Sequence, residues 1–330
     1  MRWRCVLTFS IVLWLLPATG SAAVVPGPLA DLQKQLSTMS LRAPGQVAME
    51  VQDLSTGITS SVNPSASMPA ASTIKIPVMV EVFRQLAVGN FDLNTSLRLT
   101  YADKDWGSGS ISVQPVGSVY SVSRLLTAMI TVSDNTATNM LIRLVGRSNI
   151  NTEMTSLGLE HTKLSDYIRS SGNSIRRALR TSPADMVALL NAMAHERLID
   201  AWSSRQMIVI LSGQRHNGLL PAPLPPGLAI AHKTGTLHDT LNDVGIVYAD
   251  SEPYVIAVMT TNLPTLSSGR SFIRSVSKVT YDALQRFGTW RITNDSFAPD
   301  QPTATPAPSG TPLWDQTLPQ PEPSPPDDSQ

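Results

Sequence analysis

An α+β domain is expected from this chain: an antiparallel sheet assembled from both chain ends, flanked by terminal helices, with an all-helical region inserted between the strands. Three observations point there. Strand-like apolar runs occur early and late but not in the middle. The middle carries apolar residues at helical spacing. Strands and helices do not alternate one for one, which speaks against a parallel βαβ layout.

Residues 1–23 read as a secretory signal peptide. Arg2 and Arg4 precede the apolar run Cys5 to Leu16, which is too short to span a bilayer, and Pro17, Gly20, Ser21, Ala22 and Ala23 offer a cleavage site. An uncleaved anchor helix is the other reading of that run. Residues 24–294 read as one domain. It opens with a helix, Leu29 to Met39, and a hairpin, Gln46 to Leu54, turning at Ser55-Thr56-Gly57 into Ile58 to Val62. Helical patterns follow at Ile76 to Leu86, Leu125 to Val132 and Thr136 to Leu144. Strand-like runs then appear at Leu228 to Lys233, Asp243 to Tyr248 and Tyr254 to Thr260, before a last helix from about Phe272 to Phe287. Residues 295–330 read as a disordered Pro-rich acidic tail, with ten of the 25 prolines, six acidic residues and no basic one. Leu313 and Trp314 in it suit either a docking motif or an unstructured stretch with a stray aromatic.

Composition narrows the function. Lys and Arg total 25, as do Asp and Glu, and charged residues are 15% of the chain, which speaks against a nucleic-acid partner. Cys5 is the only cysteine, so neither a disulfide framework nor a Cys-ligated zinc site can form. The five histidines (161, 195, 216, 232 and 238) show no ligand-spaced pair with a carboxylate, so no metal and no other cofactor is expected. Without signal and tail the domain keeps 23 basic and 19 acidic residues, a mild excess that suits carboxylate-bearing substrates.

Three motifs carry chemistry. In Ser72-Thr73-Ile74-Lys75 the serine is expected at a helix N-terminus, with Pro77 in the first turn and Lys75 on the same face. A helix end offers N–H groups to a developing oxyanion, and a lysine of lowered pKa can take the hydroxyl proton. Ser275-Val276-Ser277-Lys278 repeats the pattern inside the last helix, where Lys278 reads as a solvated residue. Ser133-Asp134-Asn135 falls at a break between two helices, where it suits either a cleft or an ordinary helix cap. Lys233-Thr234-Gly235, followed by Thr236, closes a strand-like run; a strand end with a turn glycine looks the same.

In this order, at separations of 61 and 100 residues, the motifs resemble the signature of the penicillin-recognising serine enzymes, class A β-lactamases and penicillin-binding proteins. The resemblance extends from about Leu29 to Phe287 and includes Ile130-Thr131-Val132 and Asn242-Asp243-Val244-Gly245. It implies the β-lactamase/transpeptidase-like fold. It also implies roles: Ser72 as the acylated nucleophile, Lys75 as its proton partner, and Ser133 as relay to the leaving nitrogen. Asn135 would bind the substrate's side-chain amide and help hold Lys75. Lys233 and Thr234, with Gly235 between close backbones, would bind the substrate carboxylate. The N–H groups of Ser72 and Thr236 would form the oxyanion hole. Trp106, before Gly107-Ser108-Gly109, would line the cleft mouth or pack at the surface.

Two departures matter. Class A enzymes carry a loop glutamate that activates the deacylating water; counting on from Gly158-x-x-x-Thr162-x-Leu164, its place holds Ile168. No Glu occurs between Glu160 and Glu196, and the loop is basic, with Arg169, Arg176, Arg177 and Arg180. Losing a general base costs about 10²–10⁴-fold, so deacylation is expected to be slow, as in the class-A-like penicillin-binding proteins of cyanobacteria. Asp166 is a candidate substitute. Second, no arginine follows Lys233 on the next strand, leaving Arg215 as a candidate carboxylate partner.

The resemblance thus implies an exported, secreted or periplasmic, monomeric serine hydrolase that forms an acyl-enzyme with β-lactams, without stable membrane insertion after signal cleavage. The alternatives are a penicillin-binding DD-carboxypeptidase acting on D-Ala-D-Ala peptidoglycan stem peptides, and a β-lactam or peptidoglycan sensor without turnover.

Overall fold

The computed structural model describes residues 27–170 and 178–294. The signal peptide, the tail, and Arg176 and Arg177 of the basic loop lie outside the described residues.

In chain order the elements are α1 (Gly27–Ser40), β1 (Gln46–Asp53), β2 (Thr59–Val62), β3 (Met68–Pro69), α2 (Lys75–Ala87), β4 (Ser96–Arg98) and β5 (Val119–Ser121). There follow α3 (Val122–Thr131), α4 (Asn135–Val145), α5 (Arg147–Ser156), β6 (Lys163–Leu164), β7 (Leu179–Thr181), α6 (Pro183–Ala194) and α7 (Ala201–Ser212). The chain closes with β8 (Ile230–Leu237), β9 (Thr240–Val247), β10 (Tyr254–Thr261) and α8 (Leu266–Asn294).

The main sheet has five antiparallel strands in the order β2-β1-β10-β9-β8. Gln46 faces Thr261 and Asp53 faces Tyr254, so the two chain ends meet at the sheet centre. One face is covered by α1 and α8: Leu29, Leu32 and Leu36 pack with Met49, Ile256, Ile273, Leu284 and Phe287. Against the other lies the helical region, where Val244, Ile246 and Val255 join Ile74, Met79, Phe83, Leu126, Met140 and Leu190. Cover on both faces explains why every residue of β9 and β10 is buried, the polar Thr240, Asn242 and Asp243 included, and why β10 reads as a nearly continuous apolar run. Each fully buried Leu, Ile or Phe contributes about 1.5–3 kcal/mol. Local chemistry sets helix starts: Ser121 Oγ accepts from Arg124 N at 3.2 Å, and Ser182 Oγ from Asp185 N at 3.1 Å with Pro183 opening α6.

The expected architecture is present, with corrected edges. β8 runs past Lys233 to Leu237, so Lys-Thr-Gly lies inside the strand rather than closing it. α8 begins at Leu266, because the polar Ser267-Ser268-Gly269 stretch conceals a helical turn; a Cβ on Gly269 would sit 2.4 Å from Leu263 Cδ1. The sheets β3-β7-β6 and β4-β5 consist of strands of two or three residues, too short to show a period.

Candidate active site

Ser72 lies in a single 3₁₀ turn, Ala71–Ile74, that runs directly into α2. The turn is fixed from several sides. Ala70 N donates to Leu179 O of β7 at 2.9 Å, and Asn242 Nδ2 of β9 donates to Pro69 O at 2.8 Å. Ala71 has φ +48°, a left-handed conformation costly for a residue with a Cβ. Gly235 meets the turn from the sheet: a Cβ there would lie 2.9 Å from Ala70 O and 3.2 Å from Ser72 N. β8 is a sheet edge, so its backbone approaches the serine amide directly, and only glycine allows that approach.

One turn on, Lys75 is fully buried. Its Nζ donates to Ser133 O at 2.5 Å, Ser133 Oγ at 2.9 Å and Asn135 Oδ1 at 2.7 Å. Burial, and then the charge of Lys233, push the Lys75 ammonium well below the usual lysine range; the carboxylates of Asp134 and Asp105 pull in the opposite direction. A buried amine within hydrogen-bond reach of a hydroxyl and destabilised as a cation is equipped to accept a proton.

Ser133 has φ +58° in the break between α3 and α4. The middle residue of its motif is the cap: Asp134 Oδ1 accepts from Ala137 N at 2.8 Å, and Oδ2 from Ser110 N at 2.8 Å and Ile111 N at 2.9 Å. Both readings of the triplet therefore hold, the central carboxylate capping α4 while its neighbours enter the cleft.

The cleft has a volume of about 770 Å³. Ser72, Ser133, Asn135, Thr234 and Thr236 line it, with Gly107, Ser108, Ile168, Ser170, His216, Arg270 and Arg274. No Asp or Glu is among its lining residues, of those described. Lys233, fully buried on β8, donates to Thr234 O at 3.1 Å. Burial brings its ammonium down to about 7, against the opposing pull of Asp243. Asp243 Oδ1 bonds His232 Nδ1 at 2.9 Å, and His232 Nε2 lies 3.0 Å from Asn217 Oδ1.

Ile168 lines the cleft, is 3% exposed and occupies the place that the class A resemblance gives to the loop carboxylate. The substitute Asp166 does not line the cleft; it is exposed and lies 3.7 Å from Arg147. Arg215 is likewise exposed and not among the lining residues, whereas Arg270 and Arg274, one turn apart at the start of α8, are. Trp106 does not line the cleft either. Asp105 Oδ1 accepts from Gly107 N at 3.0 Å in a tight turn, and the indole stands outside, 68% exposed, with Lys104 Nζ 5.5 Å from its ring centroid. The second Ser-x-x-Lys is a surface feature, Lys278 pairing with Asp282 at 2.5 Å.

Asp105 had no motif to mark it. It is buried and accepts Asn135 Nδ2 at 2.7 Å and Ser170 N at 2.7 Å, and also Ser170 Oγ. Burial alone would raise this carboxyl, but the hydrogen bonds from Ser170, Asn135 and Gly107 outweigh it and hold it below the usual range.

Fold and cleft together define a serine hydrolase of the β-lactamase and penicillin-binding type. The chain belongs to the beta-lactamase enzyme family, which matches residues 31–284. Among solved structures it is similar to PBP-A, at 30% identity and a TM-score of 0.74 over 78% of this chain and 97% of the other. A leucine-to-glutamate mutant of PBP-A, solved as an acyl-enzyme complex with penicillin G, matches equally well (30%, TM-score 0.74, 79% and 100%). A β-lactamase from Sphaerobacter thermophilus is 29% identical (TM-score 0.71, 77% and 96%), and an ancestral class A β-lactamase 25% identical (TM-score 0.70, 76% and 99%).

Proposed function

We propose that the chain is an exported serine acyl-enzyme that reacts with β-lactams through Ser72 and releases the product slowly. Lys75 takes the Ser72 proton as the hydroxyl attacks the lactam carbonyl. The oxyanion is held by the N–H groups of Ser72 and Thr236. Ser133, bonded to Lys75 at 2.9 Å, passes the proton to the leaving nitrogen, while Lys233 and Thr234 hold the substrate carboxylate. Asn135 receives the substrate's side-chain amide. Deacylation needs a base for water, and the observation that carries slow release is the cleft lining: Ile168 in place of a carboxylate, and no Asp or Glu among the described lining residues.

The same lining supports a second reading, a DD-carboxypeptidase of peptidoglycan stem peptides, because a peptidase acting on its own substrate does not need fast release of β-lactams. Export rests on the 1–23 segment and awaits N-terminal sequencing of the mature protein.

The test is to mix the protein with a chromogenic cephalosporin and follow turnover and intact mass together. A one-to-one adduct on Ser72 with little turnover is expected. Rapid multiple turnover would overturn slow deacylation, and no adduct, with Ser72→Ala indistinguishable from the parent, would overturn serine acylation. Release of D-alanine from a D-Ala-D-Ala peptide favours the second reading.

A further inference from the structure

The Lys75–Asn135 hydrogen bond depends on which way the Asn135 amide faces, and Asn135 cannot set that alone. Its Oδ1 accepts from Lys75 Nζ at 2.7 Å, and its Nδ2 donates to Asp105 Oδ1 at 2.7 Å and Ser170 Oγ at 3.1 Å. A rotated amide would set N–H against the lysine and its oxygen against the carboxylate, losing both charge-assisted bonds. Asp105 stays put because its oxygens also receive Gly107 N, Ser170 N and Ser170 Oγ. With that many donors it is a poor base, so it does not supply the deacylation carboxylate that the cleft lacks.

We propose that Asp105 is a positioning residue for acyl transfer: it orients the Asn135 amide toward Lys75 and supplies a fixed negative charge facing that lysine. The proposal rests on Ser72 acylation. Among the described residues, the charged or titratable groups around Lys75 are Asp105, Asp134 on the cap of α4, Lys233 on β8 and, across the cleft, His216. Of these, Asp105 reaches the lysine through a single amide. Removing its charge makes the Lys75 ammonium less stable, so the free amine is reached at lower pH. The pH–rate curve for acylation then moves its acid limb to lower pH, while the plateau falls because Asn135 is no longer held.

The test is the pH dependence of adduct formation with a fluorescent penicillin in the parent, Asp105→Asn and Ser170→Ala. Asp105→Asn is expected to lower the plateau about ten- to hundredfold and to move the acid limb to lower pH. Ser170→Ala keeps the charge and so keeps the limb in place. A limb that stays put in a folded Asp105→Asn, or moves equally in Ser170→Ala, overturns the proposal. A parent that forms no adduct overturns Ser72 acylation instead, which separates the two failures. Should Asp105→Asn not fold, the parent answers by NMR: the Asn135 side-chain NH₂ signals, assigned by their loss in Asn135→Ser, should exchange slowly with solvent, and free-amide exchange overturns the proposal.

Discussion

Asn139 holds the backbone of Ile168 from both sides: its Oδ1 accepts the Ile168 N–H at 2.8 Å and its Nδ2 donates to the Ile168 carbonyl at 3.1 Å. The same Nδ2 reaches Asp103 O at 3.1 Å, so α4 fixes the loop in the cleft wall whatever side chain position 168 carries.

Ile168→Glu should therefore place a carboxylate in the cleft without moving the loop. Deacylation is expected to rise by about 10²-fold or more, read as cephalosporin turnover and shortened adduct lifetime. The variant should melt at lower temperature than its parent, since a charged group replaces a side chain 3% exposed. Unchanged turnover counts against the loop path.

Gly235→Ala probes the contact between β8 and Ser72. The added Cβ must displace the Ala70 carbonyl or the Ser72 amide, 2.9 and 3.2 Å away. Acylation is expected to slow at least tenfold with a stability loss of about 1–3 kcal/mol, measured by stopped-flow adduct formation and by urea unfolding. Parent-like acylation would show that the turn yields freely.

Lys233 ties ligand capture to pH. Its ammonium, brought down to about 7 by burial, is the form that attracts a carboxylate. Binding of an anionic β-lactam before acylation should weaken as pH rises through 7, and Lys233→Gln should flatten that dependence, both read from the concentration dependence of adduct formation. The stability effect has the opposite slope. Between about 7 and the ordinary 10.5 the unfolded chain binds more protons at this site than the folded one, so stability from this group rises with pH there.

Glu252 gives a pH effect remote from the cleft. It is buried just before β10, and burial, then the neighbouring Asp53 carboxylate, raise its carboxyl to about 7, although Arg291 Nε lies 2.9 Å away. The folded chain holds this proton longer than the unfolded one. Its contribution is therefore fully present below pH 4.5 and is lost as pH rises through 7. Melting temperature against pH should show that decline, and Glu252→Gln should remove it.

The two-ended sheet was readable because β1, β9 and β10 are long enough to show their apolar runs. That Ser72, Ser133 and Asn135 share a cleft, with Lys75 and Lys233 beside it, was readable because the spacing of their motifs is distinctive, and the lack of a loop glutamate because no Glu occurs between Glu160 and Glu196. Asp105, Arg270 and Arg274 were not readable. Each reaches the site through tertiary packing, Asp105 behind Asn135 by bonds to α4 and to Ser170, the arginines into the cleft from the first turns of α8, and no local period or motif records such a meeting. Of the two places open to Trp106 the structure shows the surface one, because the turn at Asp105 sends its ring outward, which a position next to Gly107 does not reveal.

The meeting of Gly235 with Ser72 also bears on how the molecule comes into being. These partners are 163 residues apart in the chain, and β1 must wait for β10 before its register exists. A ribosome delivers Ser72 long before the strand that completes its surroundings. The cleft is thus among the last features to mature, folding is governed by long-range loop closure, and a nascent chain stopped before β8 carries the serine but no reactive centre.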